Sequence, residues 1–250
     1  AIDRQKKYKA KRLMYEVGVE QKLYFKQMFK VIELMGYKWA RECVHIDHGL
    51  YLDGDGKKFA TRKGKIVFMD AILSETIQLA REEILKRSAV SKKELEKRAL
   101  AIARAAILYG DLKNYRGHDM VFDIDRFVSF EGDTGPYLLY SYARAKSILR
   151  KKHGKQNKIG VIDALNLHER ALVNALARFP DIVREAATEY APNIVAQYAY
   201  TLAQMFNEFY HKEQVIGSDK EGFRLVLVKA FAQVLKNALY LLGIPVLEEM

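Results

Sequence analysis

The chain has 250 residues, half of them apolar, and a formal net charge of +11 at pH 7. That length and apolar content suffice for the buried core of one large or two modest domains, and the positive charge favours a nucleic acid or another polyanion as partner. The one cysteine, Cys43, excludes an internal disulfide framework and a zinc site built from cysteine clusters.

A membrane partner is not expected. No apolar run approaches the roughly 18 residues that a membrane-spanning helix requires. The basic N-terminus is not followed by the apolar segment of a signal peptide. We therefore expect a cytoplasmic protein.

The first part of the chain predicts a small α/β segment. Leu13–Val19 has the β-branched and aromatic content of a short buried strand, and Cys43–Ile46 predicts a second one. Between them, residues 20–36 predict an amphipathic helix that stops at Gly36. Its apolar positions are Leu23, Met28, Val31, Ile32 and Met35. Strand, helix and strand in this order predict a parallel βαβ unit, in which ligands bind beyond the carboxyl ends of the strands.

A basic, glycine-rich loop follows the second strand. Residues 53–65 contain five cations and three glycines. Asp-Gly and Gly-Lys steps predict turns, and flexible backbone beside clustered Lys and Arg suits a phosphate chain. From the loop alone, a solvated hairpin tip is an equal alternative, and the absence of a G-x-x-x-x-G-K-[ST] pattern excludes a Walker A motif. The position after a βαβ unit favours phosphate.

The remainder of the chain predicts helices joined by short loops, most naturally a bundle. Asp70, a Ser91-Lys-Lys-Glu94 capping box and Asn166 with Glu169 predict helix starts. Pro136, Pro180 and Pro192 predict others, and a last helix begins near Asp219. Gly110 and Gly243 are the expected ends of two helices, and 111–135 is expected to be irregular. The predicted inward faces of the last two long helices are Ile194, Tyr198, Met205 and Phe209, and Phe223, Leu227, Ala230, Val234 and Leu241.

Several longer stretches occur together and in a fixed order. They are Tyr15-Glu-Val-Gly-Val-Glu-Gln21, Gly56-Lys-Lys-Phe-Ala-Thr-Arg-Lys-Gly64, Phe122-Asp-Ile-Asp-Arg126, Phe130-Glu-Gly-Asp-Thr-Gly-Pro-Tyr137, Tyr142-Ala-Arg-Ala-Lys-Ser-Ile148, Phe206-Asn-Glu-Phe-Tyr210 and the end of the chain from Leu241 to Met250. In order and spacing these stretches resemble the arginyl-tRNA synthetases, a family of class I aminoacyl-tRNA synthetases. The second stretch is similar to that family's version of the KMSK loop.

The resemblance implies a mainly α protein. A partial Rossmann-type α/β catalytic segment with the KMSK-like loop is expected over 1–70, stem helices over 71–130 and an α-helical bundle that binds the anticodon over 131–250. The class I HIGH motif is not found. His45-Ile-Asp-His48 lies at the end of the second strand, just before the basic loop, and has Asp47 where that motif needs glycine. We therefore expect the C-terminal part of a longer enzyme, with a natural end at Met250 and a cut at Ala1.

The resemblance also implies a reaction, the ATP-dependent attachment of arginine to its tRNA. Lys58, Thr61 and Lys63 would be catalytic, and Lys58 and Arg62 would bind the ATP phosphates. Catalysis would consist of positioning and charge stabilisation. Mg²⁺ would arrive with ATP and be held mainly by phosphates, and we expect no metal held by protein ligands.

Four further residues are expected to contact small substrates. The resemblance places Gln21 against the substrate arginine, and an amide can accept from a guanidinium. His45, Gly49 and Leu50 would lie against ATP, with Gly49 allowing close approach of adenine. The alternatives are a surface glutamine at a helix start and an ordinary histidine at a strand end.

Five residues are expected to contact tRNA: Tyr137, Tyr140, Arg144, Tyr210 and Met250. RNA loops are recognised by bases that stack on aromatic rings or Arg planes. Tyr137, Tyr140 and Arg144 are three and four residues apart and share a helix face. The alternative is that the tyrosines pack in the bundle core.

The expected partners are thus tRNA(Arg), ATP and arginine, and the expected state is a monomer. Two other functions stay open at this point. One is a stand-alone tRNA-binding module without synthetase activity, and the other is a helical scaffold whose basic charge serves solubility.

Overall fold

The structure, a computed structural model, forms two compact units. It describes residues 1–52, 56–57, 69–87, 89–121, 124–152 and 164–250. The first compact unit, which we call the α/β unit, comprises Ala1–Gly64 together with Tyr115–Phe122. The second, the helical unit, comprises Lys65–Asn114 and Asp123–Met250. The chain therefore leaves the α/β unit and later returns to it.

The α/β unit contains the predicted parallel βαβ arrangement. Its elements are α1 (Ile2–Tyr8), β1 (Met14–Gly18), α2 (Lys22–Leu34), β2 (Val44–His48), β3 (Tyr51–Leu52) and β4 (Met120–Val121). β1 and β2 pair in parallel from Met14 opposite Val44 to Gly18 opposite His48. A second parallel pair joins β3 to β4, with Tyr51 opposite Met120. The prediction of a parallel βαβ unit is confirmed.

Gly36 ends α2 as predicted. Its φ of 92° lies in the left-handed region, which glycine adopts at low cost. The Tyr37 N–H donates to the Ile32 carbonyl at 3.3 Å, and the Gly36 N–H donates to Glu33 at 2.9 Å. These two bonds satisfy carbonyls that the end of a helix otherwise leaves free.

The expected burial of this segment is wrong in two places. β1 contains no fully buried residue, and Met14 is 54% exposed. In α2 only Phe25 and Ile32 are buried, whereas Leu23, Val31 and Met35 are exposed. The described part of this sheet has two strands, so it offers little surface to cover a helix. Apolar periodicity identifies the apolar face of an element but not what covers it.

The helical unit packs eight helices in its described residues. They are α3 (Met69–Arg87), α4 (Lys92–Leu112), α5 (Ile124–Val128), α6 (Gly135–Lys151), α7 (Leu167–Ala177), α8 (Phe179–Glu189), α9 (Pro192–Lys212) and α10 (Glu221–Leu241). α3 packs on α4, α6 packs on α4 and α10, and α9 packs on α7, α8 and α10. The stacked rings of Phe206 and Phe231, 3.8 Å apart, lie at the α9–α10 contact. None of the helices in this part of the chain has the length and apolarity of a membrane span.

Side-chain caps explain where several of these helices begin. Ser91 Oγ accepts from the Glu94 N–H at 3.3 Å, while the Glu94 carboxylate pairs with Arg98. At α7 the capping box is complete, since Asn166 Oδ1 accepts from the Glu169 N–H and Glu169 Oε2 accepts from the Asn166 N–H. Such caps are each worth about 1 kcal/mol.

Two predictions about helix ends and loops need correction. Gly110 does not end α4, which continues to Leu112. A Cβ at position 110 would lie 2.7 Å from the Phe127 ring, so this glycine provides space for a neighbouring side chain. The irregular stretch 111–135 in fact contains β4 and α5. Gly243 does follow the last helix.

The inward faces of α9 and α10 are also displaced from prediction. Ile194, Tyr198 and Met205 are half-buried, and Leu241 is exposed. The fully buried residues are Val195, Ala196, Ala199, Leu202, Ala203, Phe206, Asn207 and Phe209 in α9 and Leu225, Leu227, Val228, Phe231, Ala232, Leu235, Ala238 and Leu239 among those of α10. Alanines supply much of these faces, because small residues let helices approach closely, and the prediction gave weight to larger side chains.

Candidate functional site

The predicted catalytic loop cannot be compared with the structure. Lys58, Thr61, Arg62 and Lys63 lie outside the described residues. Their roles in ATP binding and catalysis stay predictions.

Gln21 lies just beyond the carboxyl end of β1, whereas His45 is the second residue of β2 and lies near its amino end. Gln21 is exposed and occupies the N-cap position of α2, three residues after β1 ends. His45 is half-buried within β2, where its Nε2 lies 2.9 Å from the Val17 carbonyl oxygen and its ring stacks on Phe25 at 4.5 Å. These contacts account for His45 as a strand histidine, and its contact with ATP stays a prediction.

Gly49 and Leu50 are held against the returning segment of the α/β unit. A Cβ on Gly49 would lie 2.1 Å from the His118 carbonyl oxygen, so only glycine fits there. The Gly49 N–H donates to the Arg116 carbonyl at 2.7 Å. The Leu50 N–H donates to Asp119 Oδ1, and the Leu50 carbonyl accepts from Met120. Any further hydrogen bond of the Leu50 backbone must therefore use the second lone pair of its carbonyl oxygen.

An ionic cluster that was not predicted lies at the carboxyl end of the β1–β2 sheet. Asp47, at the carboxyl end of β2, pairs with Lys22 Nζ at 3.5 Å and with Arg116 Nη2 at 3.3 Å. Arg116 Nε and Nη1 are buried without a hydrogen-bond partner. No local sequence pattern predicts this cluster, because Arg116 lies 69 residues after Asp47 in the chain. Within the described ranges, no three His, Cys, Asp or Glu side chains are grouped as ligands for a metal ion.

The helical unit contains an open cavity of about 670 Å³. Four of the five predicted tRNA-binding residues line it: Tyr140, Arg144, Tyr210 and Met250. Tyr140 and Tyr210 are 39% and 38% exposed, which excludes the alternative that they pack in the core. Tyr137 is half-buried, packs on Tyr200 at 5.6 Å and is connected to the cavity through Asn207.

Arg144 lies at the centre of this aromatic group. Its guanidinium carbon is 4.6 Å from the centroid of the Tyr140 ring and 5.1 Å from that of the Tyr210 ring. Its Nη2 donates to the Tyr140 hydroxyl at 2.9 Å, and its Nη1 donates to Asn207 Oδ1 at 2.6 Å. Two rings and a planar cation on adjacent helices provide the groups on which unstacked RNA bases stack.

The acidic C-terminal residues do not leave free negative charge beside the cavity. Glu249 pairs with Arg98 at 3.6 Å and with Arg150 at 3.5 Å. Glu248 pairs with Lys146 at 3.1 Å and accepts from the Tyr142 hydroxyl at 3.1 Å. Salt-bridged carboxylates repel a phosphate less than free ones do.

The pKa values of Tyr142 and Glu248 reflect this pairing. Burial, with the negative charge of Glu248, raises the pKa of Tyr142 to about 12. Burial alone would raise the pKa of Glu248, but hydrogen bonds from Lys146 and Tyr142 outweigh it and lower that pKa below its ordinary value. Glu248 therefore stays ionised at neutral pH while Tyr142 stays protonated.

Two comparisons with family models give the class of protein. Residues 1–124 match the model described as tRNA synthetases class I (R), catalytic domain, and residues 138–250 match the DALR anticodon binding domain. A parallel βαβ segment followed by a helical bundle with an aromatic, cationic cavity agrees with both. The chain thus carries part of the catalytic domain, and the anticodon-binding domain, of a class I aminoacyl-tRNA synthetase.

Individual relatives identify the family within that class. The chain is 40% identical over 255 residues to the arginine–tRNA ligase of Clostridium botulinum (strain Alaska E43 / Type E3), covering 100% of this chain and 45% of the relative. It is 42% identical over 255 residues to that of Clostridium perfringens (strain 13 / Type A), covering 99% and 44%. The solved Thermus thermophilus arginyl-tRNA synthetase superposes with a TM-score of 0.85 at 31% identity, covering 97% of this chain and 42% of that one. The chain belongs to the arginyl-tRNA synthetase family.

The chain spans less than half the length of these curated relatives. It aligns with their C-terminal portion, including part of the catalytic domain and the anticodon-binding domain. The family is one of aminoacyl-tRNA ligases. The fold class predicted from sequence, mainly α with a partial Rossmann-type segment, is confirmed.

Proposed function

We propose that the chain takes part in the ATP-dependent attachment of arginine to tRNA(Arg). It would supply the KMSK-like ATP loop and the surface that binds the anticodon. The observation that carries the proposal is the cavity of the helical unit, which brings Tyr140, Arg144, Tyr210 and Met250 together. The family's activity supports the choice of arginine and ATP.

Each of three consecutive parts of the chain would have its own role in this reaction. Residues 1–70 would form the catalytic part, 71–130 the stem and 131–250 the anticodon-binding part. ATP would arrive with Mg²⁺ held mainly by its phosphates. The protein would act as a monomer in the cytoplasm, the compartment of translation.

In the first step, the carboxylate of arginine attacks the α-phosphate of ATP to give arginyl-adenylate and pyrophosphate. Lys58 and Thr61, with Arg62 and Lys63, would close over the phosphates and stabilise the charge that develops on pyrophosphate. Gln21, exposed at the carboxyl end of β1, would hold arginine. In the second step, a ribose hydroxyl at the 3′ end of tRNA attacks the arginyl carbonyl carbon, which forms an ester and releases AMP. Neither step requires a covalent enzyme intermediate.

The helical unit would hold the other end of the tRNA. Bases of the anticodon loop would stack beside Tyr140, Arg144 and Tyr210, whose rings and guanidinium are already in contact. Each base stacked on an aromatic side chain is worth about 1–3 kcal/mol. Lys151 at the rim of the cavity would contact the phosphates.

A second candidate is a tRNA-binding module without synthetase activity. The observation that favours it is that the aromatic, cationic cavity is built by residues of the helical unit alone, whereas the 250 residues contain no HIGH motif. Both candidates require tRNA binding, and they differ only in adenylate formation.

We predict that the 250-residue chain binds tRNA(Arg) but does not catalyse arginine-dependent ATP–pyrophosphate exchange. Filter binding across a range of salt concentrations should give an affinity that falls steeply with salt, because phosphate contacts release counterions. Binding should be tighter for tRNA(Arg) than for a tRNA that accepts another amino acid. Absence of binding would reject both candidates, and measurable exchange would show that the chain forms adenylate by itself.

A further inference from the structure

Asn207 connects α6 and α9 beneath the cavity. It is 8% exposed. Its Oδ1 accepts from Arg144, and its Nδ2 donates to the Tyr137 hydroxyl and to Ser141 Oγ, both at 2.9 Å. A guanidinium can only donate, so Oδ1 must face Arg144 and the amide has a single orientation. The Oδ1 atom and both N–H groups of Nδ2 therefore each have a hydrogen-bond partner on α6.

The partners of Arg144 differ in charge from those of its cationic neighbours. Arg98 and Arg150 pair with Glu249, and Lys146 pairs with Glu248. Among the ion pairs formed by the described residues, none includes Arg144, whose hydrogen bonds run to an amide and a hydroxyl. A neutral acceptor orients a cation without cancelling its charge.

We propose that Asn207 is a positioning residue, which holds Arg144 toward the cavity as a cation whose charge is available to a phosphate of the bound RNA. The inference rests on the proposed function, since it concerns tRNA binding at this cavity. The amide fixes the guanidinium between Tyr140 and Tyr210 before RNA arrives, so no ordering cost falls on binding. A carboxylate at the same position would fix the geometry equally well but would neutralise the charge.

The first test compares Asn207→Ala with Ser141→Ala by filter binding of tRNA(Arg) at several salt concentrations. Ser141 shares the Asn207 amide but does not touch Arg144, so its variant is the matched control. We expect N207A to weaken binding about tenfold, the usual effect of losing a hydrogen bond to a charged group, and S141A to leave the affinity close to that of the unmodified chain. Equal effects of the two variants would overturn the inference.

A double-mutant cycle then asks whether Asn207 acts through Arg144. In a chain that carries Arg144→Ala, adding N207A should cause no further loss of affinity. A residue that merely stabilises the bundle would lower the affinity by the same factor in both backgrounds, and that result would contradict the proposal.

Asn207→Asp separates orientation from charge and covers the case in which N207A does not fold. The carboxylate keeps an acceptor for Arg144 and nearly the same shape. We expect N207D to retain the fold, measured by circular dichroism, while the slope of log affinity against log salt decreases by about 0.7, the contribution of one phosphate contact to a single strand. An unchanged slope would overturn the inference. Failure of the proposed function would appear differently, because the unmodified chain itself would then bind no tRNA.

Discussion

Replacing Arg144 by alanine is expected to weaken tRNA(Arg) binding by about 2 kcal/mol, roughly thirtyfold in Kd. The guanidinium is in contact with both exposed tyrosine rings of the cavity and is held by two hydrogen bonds. Its removal takes away a stacking plane and a charge at once, and it leaves Tyr140 and Tyr210 without the group between them. Filter binding of the 250-residue chain measures the change.

Two control variants separate this effect from a change of net charge. Arg184→Ala also removes one positive charge, but Arg184 is exposed on α8 and pairs only with Asp181 among the contacts described. It should alter Kd by no more than about twofold, as expected for an exposed ion pair. Arg144→Lys keeps the charge without the planar fork and should give an intermediate affinity. Equal losses in R144A and R184A would show that affinity depends on overall charge and not on the cavity.

Replacing Glu169 by alanine is expected to destabilise the helical unit by about 3–5 kcal/mol. The Glu169 side chain is fully buried, and its Oε1 accepts from Arg224 Nε at 2.9 Å. Its Oε2 lies 3.4 Å from Lys220 Nζ and also caps α7 through the Asn166 N–H. The variant leaves the buried Arg224 with Glu213 and the Gln214 carbonyl as its remaining partners. Hydrogen exchange at the amides of α7 and α10 measures the free energy of opening.

Glu185→Gln serves as the matched control for this variant. Glu185 is exposed on α8, and its replacement should change stability by less than about 0.5 kcal/mol. If E169A opens no more readily than E185Q, then Glu213 and Gln214 satisfy Arg224 by themselves.

The stability that Glu169 contributes should also depend on pH. Burial raises the pKa of this carboxyl group, but the hydrogen bonds from the Asn166 backbone and Arg224 outweigh it, so the pKa lies below its ordinary value of 4.5. A lowered pKa means that the unfolded chain binds the proton more readily. The contribution is therefore present above pH 4.5 and is lost as the pH falls through the lowered value. Acid unfolding of Glu169→Gln should show a smaller dependence on pH than that of the unmodified chain, and identical curves would contradict the assignment.

Local signals in the sequence predicted local structure well. The Asn166–Glu169 capping box, the Gly36 stop and the prolines at the starts of α8 and α9 each act within one helical turn. Such interactions can be predicted from a few adjacent residues. The parallel pairing of β1 with β2 followed from the order of the elements.

Features that depend on distant residues could not be predicted in this way. The exposure of Leu23 and Val31 depends on what covers α2, and the cluster of Asp47 with Arg116 depends on a segment that returns late in the chain. Asn207 stands in a predicted motif, but its role appears only when α6 and α9 are adjacent. The resemblance predicts five tRNA-binding residues, and the structure adds that four of them line one cavity.

The contact between Gly49 and His118 determines how the α/β unit could be produced by itself. The Gly49 N–H, the Leu50 N–H and β3 all find their partners between Arg116 and Val121, a segment that follows the helices α3 and α4 in the sequence. A contiguous piece that ends near residue 70 would keep β1, β2 and the basic loop. It would lose the carbonyl of Arg116, the carboxylate of Asp119 and the whole of β4, and it would expose their unpaired partners to solvent. A boundary drawn along the sequence therefore cuts through a folded unit, and a smaller version of the α/β unit requires the two segments to be joined by a new linker.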